Sequence, residues 1–323
     1  MTTADVRTTT AAPPAGAHRP GRSRPSGTRG DRWRRAVTGW SFSAPFTVLF
    51  LVFMAVPVVA SLVMSLTDLR STDLRNPLAV NFVGVHNYAR LFSDDLFLRS
   101  CLNTLVFVVV GVPLTLALSL AAASGLNSSL IRFRAVFRVG FYLPVVTSIV
   151  AIAVVWRFLL DPEAGLVDNL LRLVGITGPN WLGSTTTALP SLIVMAIWRN
   201  FGFQMVVFLA GLQSIPAHLY EAARLDGAGR WHQFRYVTLP MLRPTLLFGA
   251  VITGIGYLQL FEEPLVMTQG GPLSSTLSVS YNIYNQFGFG NYGYASAAAY
   301  VLFVAIVALS ALQFRLLGAR DAD

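Results

Sequence analysis

The chain has 323 residues, of which 54% are hydrophobic and only 12% charged, and its mean hydropathy is +0.58, which excludes an ordinary soluble domain and reads as an integral membrane protein. All 24 basic residues are arginine; with no lysine there can be no Walker A loop and no Schiff base, so any ATP hydrolysis needs another chain. The net charge of +9 does not argue for nucleic acid, because eight arginines crowd into residues 1–35, and the lone Cys101 excludes an internal disulfide or a cysteine-built metal site.

Residues 1–38 mix those arginines with Pro, Gly, Ser and Thr, a composition that predicts a disordered basic tail held against anionic lipid on the cytoplasmic side. Residues 39–323 read as one membrane domain. Apolar stretches of about 20 residues place six spans near 42–66, 102–124, 139–160, 189–212, 245–263 and 295–316. The first is too long for a signal-peptide core and is read as an uncleaved span. Pro45, Pro57, Pro113 and Pro144 predict kinks or helix ends.

Arginine placement sets the orientation. One side holds the tail, Arg132, Arg134 and Arg138, then Arg224, Arg230, Arg235 and Arg243, then Arg315 and Arg320; the other holds Arg70, Arg75, Arg90, Arg99 and Arg172. That bias predicts both termini inside. The charged gap 213–244 between spans four and five then faces the cytoplasm.

Within this gap, Glu221-Ala222-Ala223-Arg224-Leu225-Asp226-Gly227-Ala228 is followed by Phe234, Leu239-Pro240 and Pro244. Pro216 suits the first turn of a helix and Gly227 its stop; Trp231 to Val237 predicts a second short helix broken by Pro240. The small alanines leave a low knob that a partner's groove could approach, with Glu221 and Asp226 at its edges. An amphipathic hairpin on the lipid surface, using Trp231, Phe234 and Tyr236, is the other reading.

The run resembles the E-A-A-x-x-D-G-A loop of the permease subunits of bacterial ABC importers. Phe82-Val83-Gly84, Asn87-Tyr88 and Leu91-Phe92 are similar to the F-x-G-x-x-N-Y-x-x-L-F outer loop of the carbohydrate branch, and Thr268-Gln269-Gly270-Gly271-Pro272 with Thr276 to its T-x-G-G-P-x-x-x-T turn. With Gly293-Tyr294-Ala295-Ser296-Ala297, the resemblance runs from about residue 42 to 316. It implies an all-α protein with the six-helix type I ABC importer permease fold in a bacterial cell membrane, in which Glu221, Ala222, Ala223, Asp226, Gly227 and Ala228 couple to an ATPase. It further implies a second permease subunit in a heterodimer, a dimer of ATP-binding subunits that carry the ATP and Mg, an extracytoplasmic solute-binding protein and a carbohydrate solute. No cofactor or metal is expected on this chain.

Polar groups in apolar spans tend to face protein or a wet cavity. The fourth span is interrupted at Arg199, Asn200, Phe203 and Gln204, and the fifth offers Tyr257, Gln259, Leu260 and Glu262, with Phe261 and Glu263 beside them. Aromatic faces with amide and carboxylate groups suit neutral sugars, and the resemblance favours Asn200, Phe203, Tyr257 and Leu260. Arg199 lines or gates this path, or else snorkels outward or joins a structural ion pair. If it lines the path, glycerol phosphate or a phosphodiester is the alternative solute. An ion-coupled secondary transporter is disfavoured, since no intramembrane Asp, His or Lys relay is visible. Catalysis is disfavoured too, because the histidines at 18, 86, 218 and 232 lie in the tail or loops and neither H-E-x-x-H nor G-x-S-x-G occurs.

Overall fold

The computed structural model describes residues 29–75, 80–128 and 133–317. Two compact units are distinguished, residues 1–57 and 58–323. In the first, α1 (Arg29–Phe50) begins inside the segment read as tail, while residues 1–28, Arg132 and Arg320 lie outside the described residues. Helix α2 (Val56–Ser65) completes an apolar run of helix from Val37 to Ser65.

Among the described residues, the second unit is built from helices. The short α3 (His86–Phe92) leads to α4 (Asp95–Asn127), α5 (Arg134–Val146), α6 (Ile149–Leu159) and α7 (Leu166–Leu173). Then come the central α8 (Ala188–Gln213), the hairpin of α9 (Ala217–Leu225) with α10 (Arg230–Gln233) and α11 (Leu239–Met241), then α12 (Arg243–Leu258), α13 (Glu262–Met267), α14 (Val279–Gly288) and α15 (Tyr292–Leu317). Among the described residues four helices are long and apolar enough to cross a membrane, and six spans result with each of two bent pairs counted as one.

A bend in the third span and a break in the fifth correct the sequence reading. The third span divides at Thr147–Ser148, where α5 and α6 meet at 100°. The Thr147 hydroxyl donates back to the Leu143 carbonyl (3.0 Å), and the Ser148 carbonyl accepts from Ile152 N–H (3.0 Å) as the next helix starts. In the fifth span, Leu242 turns the chain by 67° into α12, which ends at Leu258, so residues 259–261 are not helical. Pro264 falls in the first turn of α13, where its missing N–H costs nothing.

Pro57 does not end its helix, and at Pro240 the helix runs one residue further, to Met241, before the bend at Leu242. In each case a π turn precedes the proline, with Val56 N–H reaching five residues back to Leu51 and Leu239 N–H to Phe234. The wider turn accommodates the proline ring, and the helix continues.

α8 packs against α4, α5, α12 and α13 and carries the core. Leu192, Met195, Ala196, Met205 and Phe208 are fully buried along it. Small residues permit close crossings, as expected where lipid supplies no drive to press helices together. A Cβ on Gly202 would collide with the Phe141 carbonyl of α5, and the Ser119 hydroxyl of α4 donates to the Phe201 carbonyl (2.9 Å).

The outer-loop motif has a physical function. Asn87 is buried and its Nδ2 donates to the carbonyls of Ser65 (2.9 Å) and Thr67 (2.8 Å), two groups left over where the first span ends. Tyr88 shares a hydrogen bond with Ser65 Oγ (2.8 Å), and Gly84 turns the chain at φ +57°. At the start of α4, Asp94 accepts from Leu96 N–H (2.9 Å) as an N-cap and also from the Tyr294 hydroxyl of α15 (2.5 Å).

Two stability outcomes follow. Asn87→Asp cannot donate to two buried carbonyls and is expected to cost about 1–3 kcal/mol. Gly202→Ala overpacks the α5–α8 crossing for a similar about 1–3 kcal/mol. Thermal unfolding of the purified variants in detergent checks both, and an unchanged midpoint for either contradicts its assignment.

Candidate functional site

The eight residues proposed for a path come together around one cavity of about 320 Å³. On α8, Arg199, Asn200, Phe203 and Gln204 fall at i, i+1, i+4 and i+5, and on α12, Ile252, Thr253, Gly256 and Tyr257 repeat the spacing, so each helix offers one face. The stretch where α12 stops adds Gln259, Leu260, Glu262 and Glu263. Unwound backbone at membrane depth is tolerated where it lines a cavity or is covered by protein, and here it does line one.

Several walls are fixed by hydrogen bonds. Gln204 Nε2 donates to Thr253 Oγ1 (2.8 Å) and lies 3.4 Å from the Gly249 carbonyl, which orients its amide. Gln204 Oε1 is buried without a partner. Tyr257 donates to Thr115 Oγ1 (2.8 Å), whose own proton goes to the Gly111 carbonyl, and its ring meets Phe107 edge to face at 5.0 Å. Asn200 Nδ2 is turned back to the Ala196 carbonyl (2.9 Å), leaving Oδ1 for another partner. The Leu260 carbonyl is held by the Ser278 hydroxyl (2.5 Å).

Arg199 lines the cavity rather than lying on an outer face, and its Nε is buried without a hydrogen-bond partner. Glu262 is exposed to the cavity side and Glu263 is buried beside it. The eight do not include Thr253, Ile252, Gly256 or Ile149, and Glu263 stands beside them in the sequence reading. The i−4 and i−5 relation to Tyr257 would have found Thr253 and Ile252, and Glu263 adjoins a residue already chosen. Ile149 enters only because the third span bends, which hydropathy does not reveal. Phe261 lies outside the lining and packs on Tyr281 and Tyr284 at 6.1 and 5.1 Å.

The turn after α13 has its own internal brace. Thr268 and Thr276 share a hydrogen bond (2.7 Å), and Thr276 Oγ1 donates to the Gly271 carbonyl (2.9 Å). The eight-residue spacing of the two threonines is thus the clasp of a reversal in which Gly270 takes φ +79°.

The second group of residues forms a ridge. Pro216 is the N-cap of α9, one residue earlier than expected, and the helix ends in a Schellman motif: Gly227 N–H bonds to Arg224 O (3.0 Å) and Ala228 N–H to Ala223 O (2.8 Å). Gly227 takes the required positive φ of +80°. Glu221, Ala222, Asp226 and Gly227 are exposed, and Ala223 and Ala228 are half-buried. Leu225 is 89% exposed and Trp231 71%, so the tip presents an unpartnered apolar surface flanked by two carboxylates. The hairpin is braced by Tyr220 with Thr238 (3.0 Å) and by Gln233 Nε2 donating to the Ala228 carbonyl (2.7 Å). The second arm runs from Arg230 to Met241 through Pro240, longer than the expected Trp231–Val237.

Comparison with known proteins places this arrangement. Residues 96–320 match the family of binding-protein-dependent transport system inner membrane components. The lactose transport system permease protein of Rhizobium radiobacter is 38% identical over 284 residues, 86% of this chain and 93% of the relative. An arabinooligosaccharides transport system permease protein of Bacillus subtilis is 32% identical over 309 residues, 93% of this chain and 94% of the relative. Among solved structures, a chain of a bacterial alginate ABC transporter, crystallised in complex with an alginate pentasaccharide-bound periplasmic protein, superposes with a TM-score of 0.73 at 25% identity, covering 88% of this chain and 95% of that one. A six-span helical body, a break lining a cavity and a capped E-A-A hairpin are thus found together with a match over most of the sequence, and the chain belongs to the family of binding-protein-dependent transport system inner membrane components, a multi-pass membrane permease.

Proposed function

We propose that this permease carries a carbohydrate across the membrane by alternating access, through the cavity between α8, α12 and the start of α13. The observation that carries this reading is the convergence of Asn200, Phe203, Gln204, Tyr257, Gln259 and Glu262 on one cavity, which mixes aromatic faces with hydroxyl-binding groups. Its volume lies at the lower end of the roughly 300–1,000 Å³ usual for small-molecule sites. Relatives named for lactose and arabinooligosaccharide transport support the solute class.

An extracytoplasmic binding protein delivers the solute, a second permease completes the path, and a dimer of ATP-binding subunits supplies the free energy. Glu221, Ala222, Ala223, Asp226, Gly227 and Ala228 dock on an ATP-binding subunit. Closure of that dimer on ATP moves the hairpin, and the 67° joint at Leu242 passes the movement to α12. Since α12 carries Ile252, Thr253, Gly256 and Tyr257 of the cavity wall, rocking it opens one side and closes the other. Arg199 sustains a second reading, glycerol phosphate or a phosphodiester. Glu262 and Glu263 in the same lining oppose it by adding like charge to the anion's surroundings.

Proteoliposomes holding this chain with its neighbouring permease, binding protein and ATP-binding products test the reading with labelled mono- and disaccharides and glycerol phosphate. ATP-dependent uptake of a sugar is expected; uptake of glycerol phosphate alone would favour the second reading, and uptake driven by ion gradients without ATP would overturn both. Phe203→Ala removes an aromatic contact of about 0.5–1.5 kcal/mol and is expected to raise the KM for the sugar by roughly two- to tenfold, measured on the same liposomes. Gly227→Pro cannot reach positive φ and also loses the bond to Arg224, so a normally inserted variant is expected to hydrolyse ATP without importing. Full uptake by that variant contradicts the assigned coupling.

A further inference from the structure

A second cavity, of about 410 Å³, lies between the E-A-A hairpin and the end of α4. Ser124 and Asn127 form one wall and Arg224 and Arg230 the other, with Gln233 and Tyr220 between them, and no carboxylate lines it. Neither guanidinium has a hydrogen bond or ion pair to a described residue. Ser124 Oγ is buried without a partner. The flanking groups are committed to the hairpin itself, since Tyr220 bonds to Thr238 and Gln233 to Ala228, so the walls stay in place whether or not the cavity is filled.

We propose that this cleft binds a phosphate-bearing anion. Two exposed guanidinium groups without a described partner on one side, a hydroxyl and an amide on the other, and no opposing carboxylate are what a phosphate attracts: charge-assisted donors with neutral donors completing the shell. The arginine distribution puts the cleft on the cytoplasmic side, and Tyr236, 71% exposed, projects from the second arm of the hairpin as a residue suited to a membrane–water boundary. The phosphate can therefore come from an anionic phospholipid of the inner leaflet or from solution. In either case it ties the hairpin to α4, the helix whose Thr115 holds Tyr257 at the solute cavity. The moving element is thereby fastened to a wall of the path.

The assembled importer in nanodiscs tests this by native mass spectrometry, in neutral phosphatidylcholine, in phosphatidylcholine with phosphatidylglycerol, and in phosphatidylcholine with added inorganic phosphate. One anion is expected to be retained per copy of this chain. Arg224→Gln combined with Arg230→Gln is expected to lower its occupancy about tenfold or more, the equivalent of at least one lost charge-assisted bond. Asn127→Ala, on the opposite wall, is expected to weaken retention as well and serves if the arginine variant fails to assemble. Retention of phosphatidylglycerol alone identifies a lipid source, and retention of inorganic phosphate a soluble one. No retention above the neutral-lipid level, or equal retention in wild type and variants, overturns the proposal. So does loss of the ATP-binding subunits with anion retention unchanged, which would show that the arginines pair with acidic groups of that partner.

Discussion

A hydrocarbon environment supplies no hydrogen bonds, so every backbone group of this chain within the membrane has to be satisfied from inside. Unbroken helices such as α8 and α15 meet that demand without help. Where the helix is interrupted, side chains take over: Thr147 bonds back to Leu143, Asn87 takes the carbonyls of Ser65 and Thr67, and Ser278 holds the carbonyl of Leu260. These interruptions are also where function gathers. The break after Leu258 turns a stretch of α12 that would otherwise cross the bilayer into the floor of a polar cavity.

The same constraint explains how movement could travel. α9 is capped by its Schellman motif, Tyr220 ties it to Thr238 on the second arm, and Gln233 ties that arm to the turn at Ala228, so the two arms are bound together. The hairpin meets α12 at a sharp joint, whereas α12 itself is a single helix of 16 residues as far as the cavity. A braced tip, a joint and a rigid lever form a mechanical link from an exposed apolar ridge at Leu225 to Tyr257. Gln204 and Thr253 lie across the α8–α12 seam that such a link would shear, and the orphan Gln204 Oε1 gives that seam an acceptor free to take a new partner.

Much of this was legible in the sequence, and the reasons differ by residue. Six spans could be counted because hydropathy reports burial in lipid, and the hairpin end could be placed because Gly227 is one of the few residues that adopts positive φ at no cost. The cavity residues stood out as polar groups within apolar runs, and their helical spacing accounts for why they meet. The 100° angle at 147–148 and the break at 259–261 were only partly legible: Pro144 marks a kink or helix end three residues before the first without giving its size, and Glu262-Glu263-Pro264 follows the second without fixing where the helix stops. A proline can also mislead in the other direction. Pro57 signals a kink or helix end by its missing N–H and its ring, but a π turn just ahead relieves the clash, and no composition rule records that local widening.

The central claim is that nucleotide-driven movement of the hairpin changes which side of the membrane the α8–α12 cavity faces. Gly256 lines that cavity with open space where a side chain would stand, so Gly256→Cys fits without displacing a neighbour. In a Cys101→Ser background, the most direct measurement is the rate at which a membrane-impermeant thiol reagent added from the outer side labels that cysteine in the assembled importer, with and without a non-hydrolysable ATP analogue. The account predicts labelling that rises several-fold with the analogue and does not rise when Gly227→Pro is also present. Labelling that is the same with and without the analogue in the otherwise intact protein would contradict it.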